Sequence, residues 1–213
     1  MPDSLNTKPA KNASIRILVV DDHFAVRMGL AASIRMDRDM DVVAEAGNAR
    51  QALEQYRKHL PDVVLMDLRM PTVGGDEATR MLRREFPQAR VLVFSSYGGD
   101  ENVRRSLEAG ARAYLFKSAP RTELIEAIRK VHAGDVYLPR DVAAELARHV
   151  SRPGLTDRQL DVLRLIVGEI ASELAISEIT VKRHCGHLFQ KLGVSDRTQA
   201  ATEAIQRGII QFD

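Results

Sequence analysis

The sequence predicts an α/β protein, in which a doubly wound sheet of five parallel strands is followed by a small all-helical domain. The chain has 213 residues, more than one domain usually contains, so two modest domains are expected. From residue 15 to about 132, short aliphatic runs alternate five times with longer amphipathic stretches. Such alternation is typical of parallel strands joined by right-handed helical crossovers. From Leu155 onward only helical periodicity is visible.

The five aliphatic runs are four to six residues long and apolar nearly throughout, as expected for strands that helices cover on both faces. They are residues 15–20, 42–46, 63–66, 91–94 and 113–116. Helices fill the segments between them; in residues 123–131, Leu124, Ile128 and Val131 recur at helical spacing. A sheet of this kind binds ligands beyond the carboxyl ends of its strands, which is where functional residues are expected.

The domain boundary is expected in a linker at residues 133–154. This segment begins with Gly134 and Pro139, continues with a short helical stretch at residues 141–150, and ends in the loop sequence Ser-Arg-Pro-Gly at 151–154. The first domain then covers residues 15–132 and the second residues 155–213. Residues 1–14 are polar and are expected to form a flexible tail.

Composition narrows the function classes. The net charge is +2, so any binding to nucleic acid must come from a local basic patch. A single cysteine, Cys185, excludes an intrachain disulfide and an all-thiolate zinc site. The longest aliphatic run near the N-terminus, residues 17–20, is too short for a signal core or a membrane span. A cytoplasmic protein without a membrane partner is therefore expected.

Functional side chains follow the predicted strands. Asp21 and Asp22 come directly after the first strand, and Asp67 comes directly after the third. If these strands are neighbours, the three carboxylates converge, and hard oxygen ligands of this kind suit Mg²⁺. Ser95 and Lys117 follow the fourth and fifth runs. A carboxylate beside a metal, an ammonium and a hydroxyl can accept a phosphoryl group, with Asp67 as nucleophile.

The loop after Asp67 contains Pro71, Gly74 and Gly75. We expect the proline to stiffen the exit from the site and the glycines to permit a tight turn with positive φ.

These residues resemble a known family. Residues 15–132 are similar to the receiver domain of bacterial two-component response regulators through ILVVDDH, PDVVLMDLRMPTVGG, VLVFSS and AYLFK. The resemblance implies a sheet with strand order 2-1-3-4-5 and a phosphoacceptor at Asp67, which a sensor histidine kinase would phosphorylate. It also implies that Asp22, Asp67 and the backbone carbonyl of Arg69 hold Mg²⁺, with Asp21 acting through water.

The same resemblance implies how the receiver would switch. Lys117 would pair with the phosphoryl group, and Ser95 would bond one of its oxygens. Tyr114 matches the aromatic residue that swings inward once that hydroxyl moves.

The second domain resembles the helix-turn-helix DNA-binding domain of the LuxR-type (NarL/FixJ) regulators. The matching segments are LTDRQLDVLRLI and IASELAISEITVKRHCGHLFQKLGVSDRTQA. Its recognition helix is expected to begin after Ser177 as N-cap and to end at Leu192, before Gly193. The resemblance implies that Lys182 and Arg183 are the main DNA contacts. It also implies that Thr180 and Lys191 contact phosphates.

One departure from the family pattern lies near Gly168. The segment from Val167 to Ile170 is about five residues shorter than the usual helix connection, and a single glycine is too short to reverse a helix. Either residues are absent from the chain, or two helices shorten or fuse. A fused helix over residues 157–174 is supported by an unbroken apolar stripe, and it would displace the recognition helix.

The expected function is that of a response regulator in which phosphorylation of Asp67 switches homodimerisation and sequence-specific binding to double-stranded DNA, and so controls transcription. The alternative is a receiver-driven interaction module whose DNA binding is impaired by the short connection at residues 167–170. Phosphatases of the haloacid dehalogenase class also phosphorylate a strand-end aspartate, but they carry a general-acid aspartate two residues later. Arg69 stands there, so we do not expect an enzyme.

Overall fold

A computed structural model describes residues 14–96, 98–150, 155, 159–163, 178–207 and 209–210, with backbone only at residues 145, 148–150 and 178–184. The first domain is a five-stranded parallel sheet of order β2-β1-β3-β4-β5. This confirms the predicted fold class and strand order. The strands are β1 Ile15–Val20, β2 Met40–Ala46, β3 Val63–Met66, β4 Val91–Ser95 and β5 Ala113–Phe116.

Each strand of the sheet is followed by a helix, as the sequence alternation predicts. The helices are α1 Phe24–Arg35, α2 Ala49–His59, α3 Gly75–Glu85, α4 Asp100–Glu108 and α5 Arg121–Ala133. On one face of the sheet, Ile17 and Val19 of β1 belong to the same buried cluster as Ile34 of α1 and Ile128 of α5. On the other face, Leu18 and Val20 share a cluster with residues of α2 and α3. Burial on both faces explains why the strands are apolar nearly throughout.

Strand register brings the ends of β1 and β3 together. Val20 pairs with Met66, and the backbone N–H of Asp67 donates to the carbonyl of Val20 at 2.8 Å. The residues that follow these two strands therefore start at neighbouring points on one edge of the sheet.

The loop between β3 and α3 differs from the expectation in its backbone. Its positive φ, +70°, is at Thr72, whereas Gly74 has φ −66°. The glycine requirement is steric, since a Cβ on Gly75 would lie 2.0 Å from the carbonyl oxygen of Asp67. The prediction that the two glycines supply the positive φ was therefore wrong. Gly75 instead lets the start of α3 pack directly on the backbone of the Asp67 strand end.

After the sheet, the chain continues into α6 Arg140–Val150, which packs on α4 and β5. Val142 of this helix is fully buried in a cluster with Tyr114 and Val103. The linker helix thus covers the α4–β5 side of the first domain.

The C-terminal helical domain contains α7 Glu178–Leu192 and α8 Arg197–Gln206, which pack through Leu188, Leu192, Ala200 and Ala204. Helix α7 ends before Gly193, as expected, and that glycine has φ +72°. The predicted N-cap Ser177 and the connection around Gly168 lie outside the described residues. No helix in the described part of the chain is long and apolar enough to cross a membrane.

The two domains meet where α8 ends against the start of α4. Arg207 donates from Nε and a terminal nitrogen to the two carboxylate oxygens of Asp100, each at 3.1 Å, and both side chains are over nine-tenths buried. The N–H of Glu101 donates to the carbonyl of Arg207 at 3.2 Å. A Cβ on Gly99, which has φ +99°, would lie 2.5 Å from that carbonyl, so the contact requires glycine there.

Candidate metal and phosphoryl site

Four charged side chains predicted to meet at the edge of the sheet do so. Asp21 and Asp22 follow β1, Asp67 follows β3, and Lys117 follows β5. The ammonium nitrogen of Lys117 lies 2.5 Å from Oδ2 of Asp21 and 3.1 Å from Oδ2 of Asp67. Asp21 and Asp67 are almost completely buried, so this is an enclosed charge cluster.

Burial acts on the charge of Asp67. Desolvation raises the pKa of this carboxyl above its ordinary value, and the negative charge of Asp21 adds to the increase, although Lys117 opposes it. Further positive charge, such as a cation bound beside Asp67, would therefore stabilise the ionised form of this carboxyl group.

Lys117 is held in its charged form. Burial alone would lower the pKa of its ammonium group, but the hydrogen bond to Asp21 and the charge of Asp67 outweigh burial, so that its pKa is raised. A permanent cation therefore faces Asp67 and can neutralise an anionic group attached there.

The donor set fits a divalent cation. Asp21, Asp22, His23 and Asp67 each offer a ligand atom, and these atoms all lie within 4.8 Å of one another. One oxygen of Asp67 and one of Asp22, both Oδ1, are buried and accept no hydrogen bond from any described residue. Buried carboxylate oxygens without a donor are costly unless a cation neutralises them, so the residues present fit Mg²⁺ or a similar ion.

The remaining predicted site residues are Ser95, Tyr114 and Arg69. Ser95, the last residue of β4, is fully buried, and its carbonyl accepts from the backbone N–H of Lys117 at 2.8 Å. Tyr114 is fully buried in β5, and its ring meets Phe116 edge-on at 5.9 Å between centroids. Arg69, two residues after Asp67, is partly buried.

Two residues near the cluster were not predicted. His23 places Nδ1 2.8 Å from an oxygen of Asp22. Arg27 donates to the backbone carbonyl of Asp21 at 2.6 Å and lies 3.6 Å from Glu45 of β2. Their signal was positional, because His23 directly follows the two aspartates and Arg27 lies one helical turn further on.

The predicted DNA contacts lie on α7. Thr180, Lys182 and Arg183 belong to this helix, but their side chains are outside the described residues. Lys191, near the end of the helix, donates to the side chain of Gln159 at 3.0 Å. It therefore links α7 to the preceding helical segment.

Comparison with known proteins identifies both domains. The family described as response regulator receiver domain matches residues 17–129, and the family of bacterial regulatory proteins called the luxR family matches residues 153–204. The chain belongs to the LuxR/NarL family of response regulators.

Relatives of this response regulator match it over nearly its whole length. It is 34% identical to the response regulator protein VraR of Staphylococcus aureus, over 93% of this chain and 100% of VraR. It is 33% identical to the transcriptional regulatory protein LnrK of Bacillus subtilis, again over 93% and 100%. Among solved structures, the response regulator ChrA of a heme-sensing two-component system is 35% identical over 93% of this chain and 100% of ChrA, with a TM-score of 0.59.

Proposed function

We propose that this response regulator is phosphorylated on Asp67 by a sensor histidine kinase in the cytoplasm and then controls transcription as a DNA-binding homodimer. In this proposal residues 15–132 form the receiver, 133–154 the linker and 155–213 the DNA-binding domain. The observation that carries it is the buried Asp67 carboxylate, which has one oxygen at Lys117 and the other without a donor among the described residues.

The chemical step is a phosphoryl transfer to Asp67. A carboxylate oxygen of Asp67 forms a bond to phosphorus while the bond between phosphorus and the donor atom breaks, and the electron pair of that bond leaves with the donor. The product is an acyl phosphate on Asp67. Lys117 supports the step because its ammonium group can pair with the transferred phosphoryl oxygens.

Asp22, Asp67 and the backbone carbonyl of Arg69 would hold Mg²⁺, with Asp21 acting through water. A bound Mg²⁺ supplies positive charge that neutralises the phosphoryl oxygens. The chain's own part is to hold these carboxylates in place. Arg27, for example, fixes the backbone of Asp21 by donating a hydrogen bond to its carbonyl oxygen.

The phosphoryl group would then shift the receiver between two states. The buried hydroxyl of Ser95 would bond a phosphoryl oxygen, and Tyr114 would follow its movement. Tyr114 shares a buried cluster with Val142 of α6, and Ser95 ends the strand that precedes α4, whose first residue, Asp100, binds Arg207. This arrangement supports transmission of the change to the C-terminal helical domain.

DNA binding would use α7. Lys182 and Arg183 would contact bases in the major groove, while Thr180 and Lys191 would contact phosphates and fix the register. Two helices in a homodimer would then read two half-sites related by the two-fold axis.

The first experiment tests phosphorylation directly. The full chain is incubated with Mg²⁺ and acetyl phosphate, and its intact mass is measured. We expect an adduct of about 80 Da, one phosphoryl group, on the wild type. Asp67→Asn should gain none, because an amide oxygen forms no stable acyl phosphate.

The matched control is Asp41→Asn, which changes a half-exposed aspartate in β2 far from the cluster. It should gain the adduct as the wild type does. If the wild type gains no mass, or if Asp67→Asn gains as much as the wild type, the proposed phosphoacceptor is wrong.

The second experiment separates transcription control from the interaction-module alternative. An electrophoretic shift with a promoter fragment is measured with and without beryllofluoride, which mimics the phosphoryl group. Binding that strengthens with beryllofluoride supports the proposal. If the chain gains the phosphoryl adduct in the first experiment but shifts no DNA in the second, the interaction-module alternative is favoured. The short connection at residues 167–170 would then explain the impaired DNA binding.

A further inference from the structure

We propose that Arg27 is a positioning residue for the metal site. Its hydrogen bond to the carbonyl of Asp21 fixes the peptide that carries Asp22, and this raises the affinity of the chain for Mg²⁺. The inference rests on the metal site of the proposed function and adds to it a residue that does not touch the ion. It concerns how tightly Mg²⁺ binds, and not the transfer of a phosphoryl group to Asp67.

Asp21 is held at each of its polar atoms. Its N–H donates to the last carbonyl of β2 at 3.1 Å, and its carboxylate oxygens accept from the N–H of His23 at 2.8 Å and from Lys117 at 2.5 Å. The remaining atom, the carbonyl oxygen, accepts from Nη1 of Arg27 at 2.6 Å. Arg27 therefore fixes the plane of the peptide between Asp21 and Asp22.

The carboxylate of Asp22 has less support of its own. Its Oδ1 is buried and accepts no hydrogen bond from any described residue. Nδ1 of His23 lies 2.8 Å from this oxygen without forming one, and the His23 side chain is 70% exposed. The position of this carboxylate thus depends on the backbone that carries it, which is the peptide that Arg27 holds.

Arg27 is itself held between three elements. It lies in the first turn of α1, and its side chain is 16% exposed. Its guanidinium carbon lies 5.6 Å from the centre of the Phe24 ring, and its Nε lies 3.6 Å from Glu45 of β2. A Cβ on Gly47, just after β2, would lie 3.6 Å from Nη1, so the guanidinium also packs near that backbone. Its own orientation is restricted, as positioning of another group requires.

The charge of Arg27 and its hydrogen bond have opposite effects on Mg²⁺. A positive charge beside Asp21 repels a cation, so loss of the charge alone would tighten Mg²⁺ binding. Loss of the hydrogen bond would free the peptide before Asp22, and removal of a group that orients a metal ligand typically lowers metal affinity about 10–100-fold. The direction of the change therefore separates a positioning residue from a neighbouring charge.

The test measures Mg²⁺ binding to the full-length, unphosphorylated chain without a phosphoryl donor. Mg²⁺ is titrated, and the amide NMR signals of residues around the cluster give the dissociation constant. Arg27→Met keeps an unbranched stem and removes both the charge and the donor. We expect this variant to bind Mg²⁺ about tenfold more weakly than the wild type. The carbonyl carbon signal of Asp21 should also shift, because its oxygen loses a donor.

Two further substitutions at the same position complete the test. Arg27→Lys keeps a positive charge and a donor, so it should bind Mg²⁺ more tightly than Arg27→Met does. Arg27→Gln is neutral and shorter than arginine, and it should bind Mg²⁺ as weakly as Arg27→Met. It takes the place of Arg27→Met if that variant does not fold.

Arg35→Met is the matched control. Arg35 lies at the other end of α1 and also donates to a backbone carbonyl of β2, that of Val42, at 2.8 Å. Its replacement should lower the stability of the chain, because it removes the same kind of contact. It should leave the affinity for Mg²⁺ unchanged, because Arg35 does not contact the peptide before Asp22.

Mg²⁺ binding by Arg27→Met that equals or exceeds that of the wild type would overturn the inference. Equal weakening in Arg35→Met, or in Arg27→Lys, would overturn it too, since the hydrogen bond to Asp21 would then not be the cause. Failure of both neutral Arg27 variants to fold, with Arg35→Met folded, would assign Arg27 to the stability of the fold and reject the inference. A wild type that binds no Mg²⁺ would contradict the metal site of the proposed function itself, and with it this inference.

Discussion

Asp67 shows at the scale of one residue how the fold sets up a reactive group. Its carboxylate is buried and carries a raised pKa, so the folded chain holds the ionised form against a desolvation cost. The proposed phosphorylation makes use of the same position, because Lys117 and a bound cation can neutralise the charge there. The functional carboxylate is therefore also a local source of instability.

This conflict predicts a pH-dependent gain of stability in Asp67→Asn. Below the ordinary carboxyl pKa of 3.8, Asp67 is neutral in the folded and unfolded chains, and the variant should gain nothing. As pH rises, the unfolded chain loses its proton first, so the wild type loses stability until pH passes the raised folded pKa. Each pH unit between the two pKa values corresponds to about 1.4 kcal/mol.

The measurement is urea denaturation of both proteins from pH 3 upward, in EDTA so that no cation binds the cluster. Asp41→Asn serves again as the control, because it removes a half-exposed carboxylate outside the cluster. A gain in Asp67→Asn that is as large below pH 3.8 as at neutral pH would contradict the desolvation argument.

At the scale of one element, the loop between β3 and α3 positions Asp67 through its backbone. Gly75 approaches the Asp67 carbonyl so closely that an added Cβ would lie 2.0 Å from it. Gly75→Ala must therefore push the start of α3 away from the strand end. We expect a loss of about 1–3 kcal/mol in the free energy of unfolding, and slower phosphorylation by acetyl phosphate.

Gly74→Ala is the matched control for this loop. Gly74 has φ −66°, and its Cβ would meet the flexible end of Asp76 at 3.1 Å, which can move aside. Denaturation and intact-mass kinetics on both variants check the prediction. Equal effects of the two substitutions would show that the loop tolerates a side chain at either glycine.

The elements themselves follow closely from the sequence. Strands β1, β3 and β5 have the predicted bounds, because runs that helices cover on both faces are apolar nearly throughout. The convergence of Asp21, Asp22, Asp67 and Lys117 was also predictable, since neighbouring parallel strands bring their carboxyl ends to one edge. The positive φ of Thr72 was not, because no side-chain pattern identifies a β-branched residue in that conformation.

At the scale of the whole molecule, the buried pair of Asp100 and Arg207 joins residues 107 positions apart. Sequence patterns could not predict it, since neither residue belongs to a motif and the pair depends on how the domains meet. Gly99 carried a weak signal as a glycine before a helix, but a turn would explain it equally well.

This pair predicts that the two domains unfold together. Arg207→Ala would remove the bidentate ion pair that joins α8 to Asp100, and removal of one member of a buried pair typically costs about 3–5 kcal/mol. We expect calorimetry to show one unfolding transition in the wild type and two in the variant. Without the ion pair, the contact between the domains is too weak to make them unfold together.

Arg38→Ala is the control, as it removes an exposed arginine of the receiver. It should keep the single transition. Two transitions already present in the wild type would mean that the contact does not couple the domains.

The burial of Tyr114 beneath α6 gives the molecule an internal optical reporter. The chain has no tryptophan and four tyrosines, so its near-ultraviolet absorbance comes mainly from a small number of phenol rings. Tyr114 is fully enclosed, with Val142 of the linker helix in the same cluster. If that helix moves away, the Tyr114 ring becomes exposed to solvent and its second-derivative absorbance spectrum shifts. Movement of the linker can therefore be measured without an attached dye.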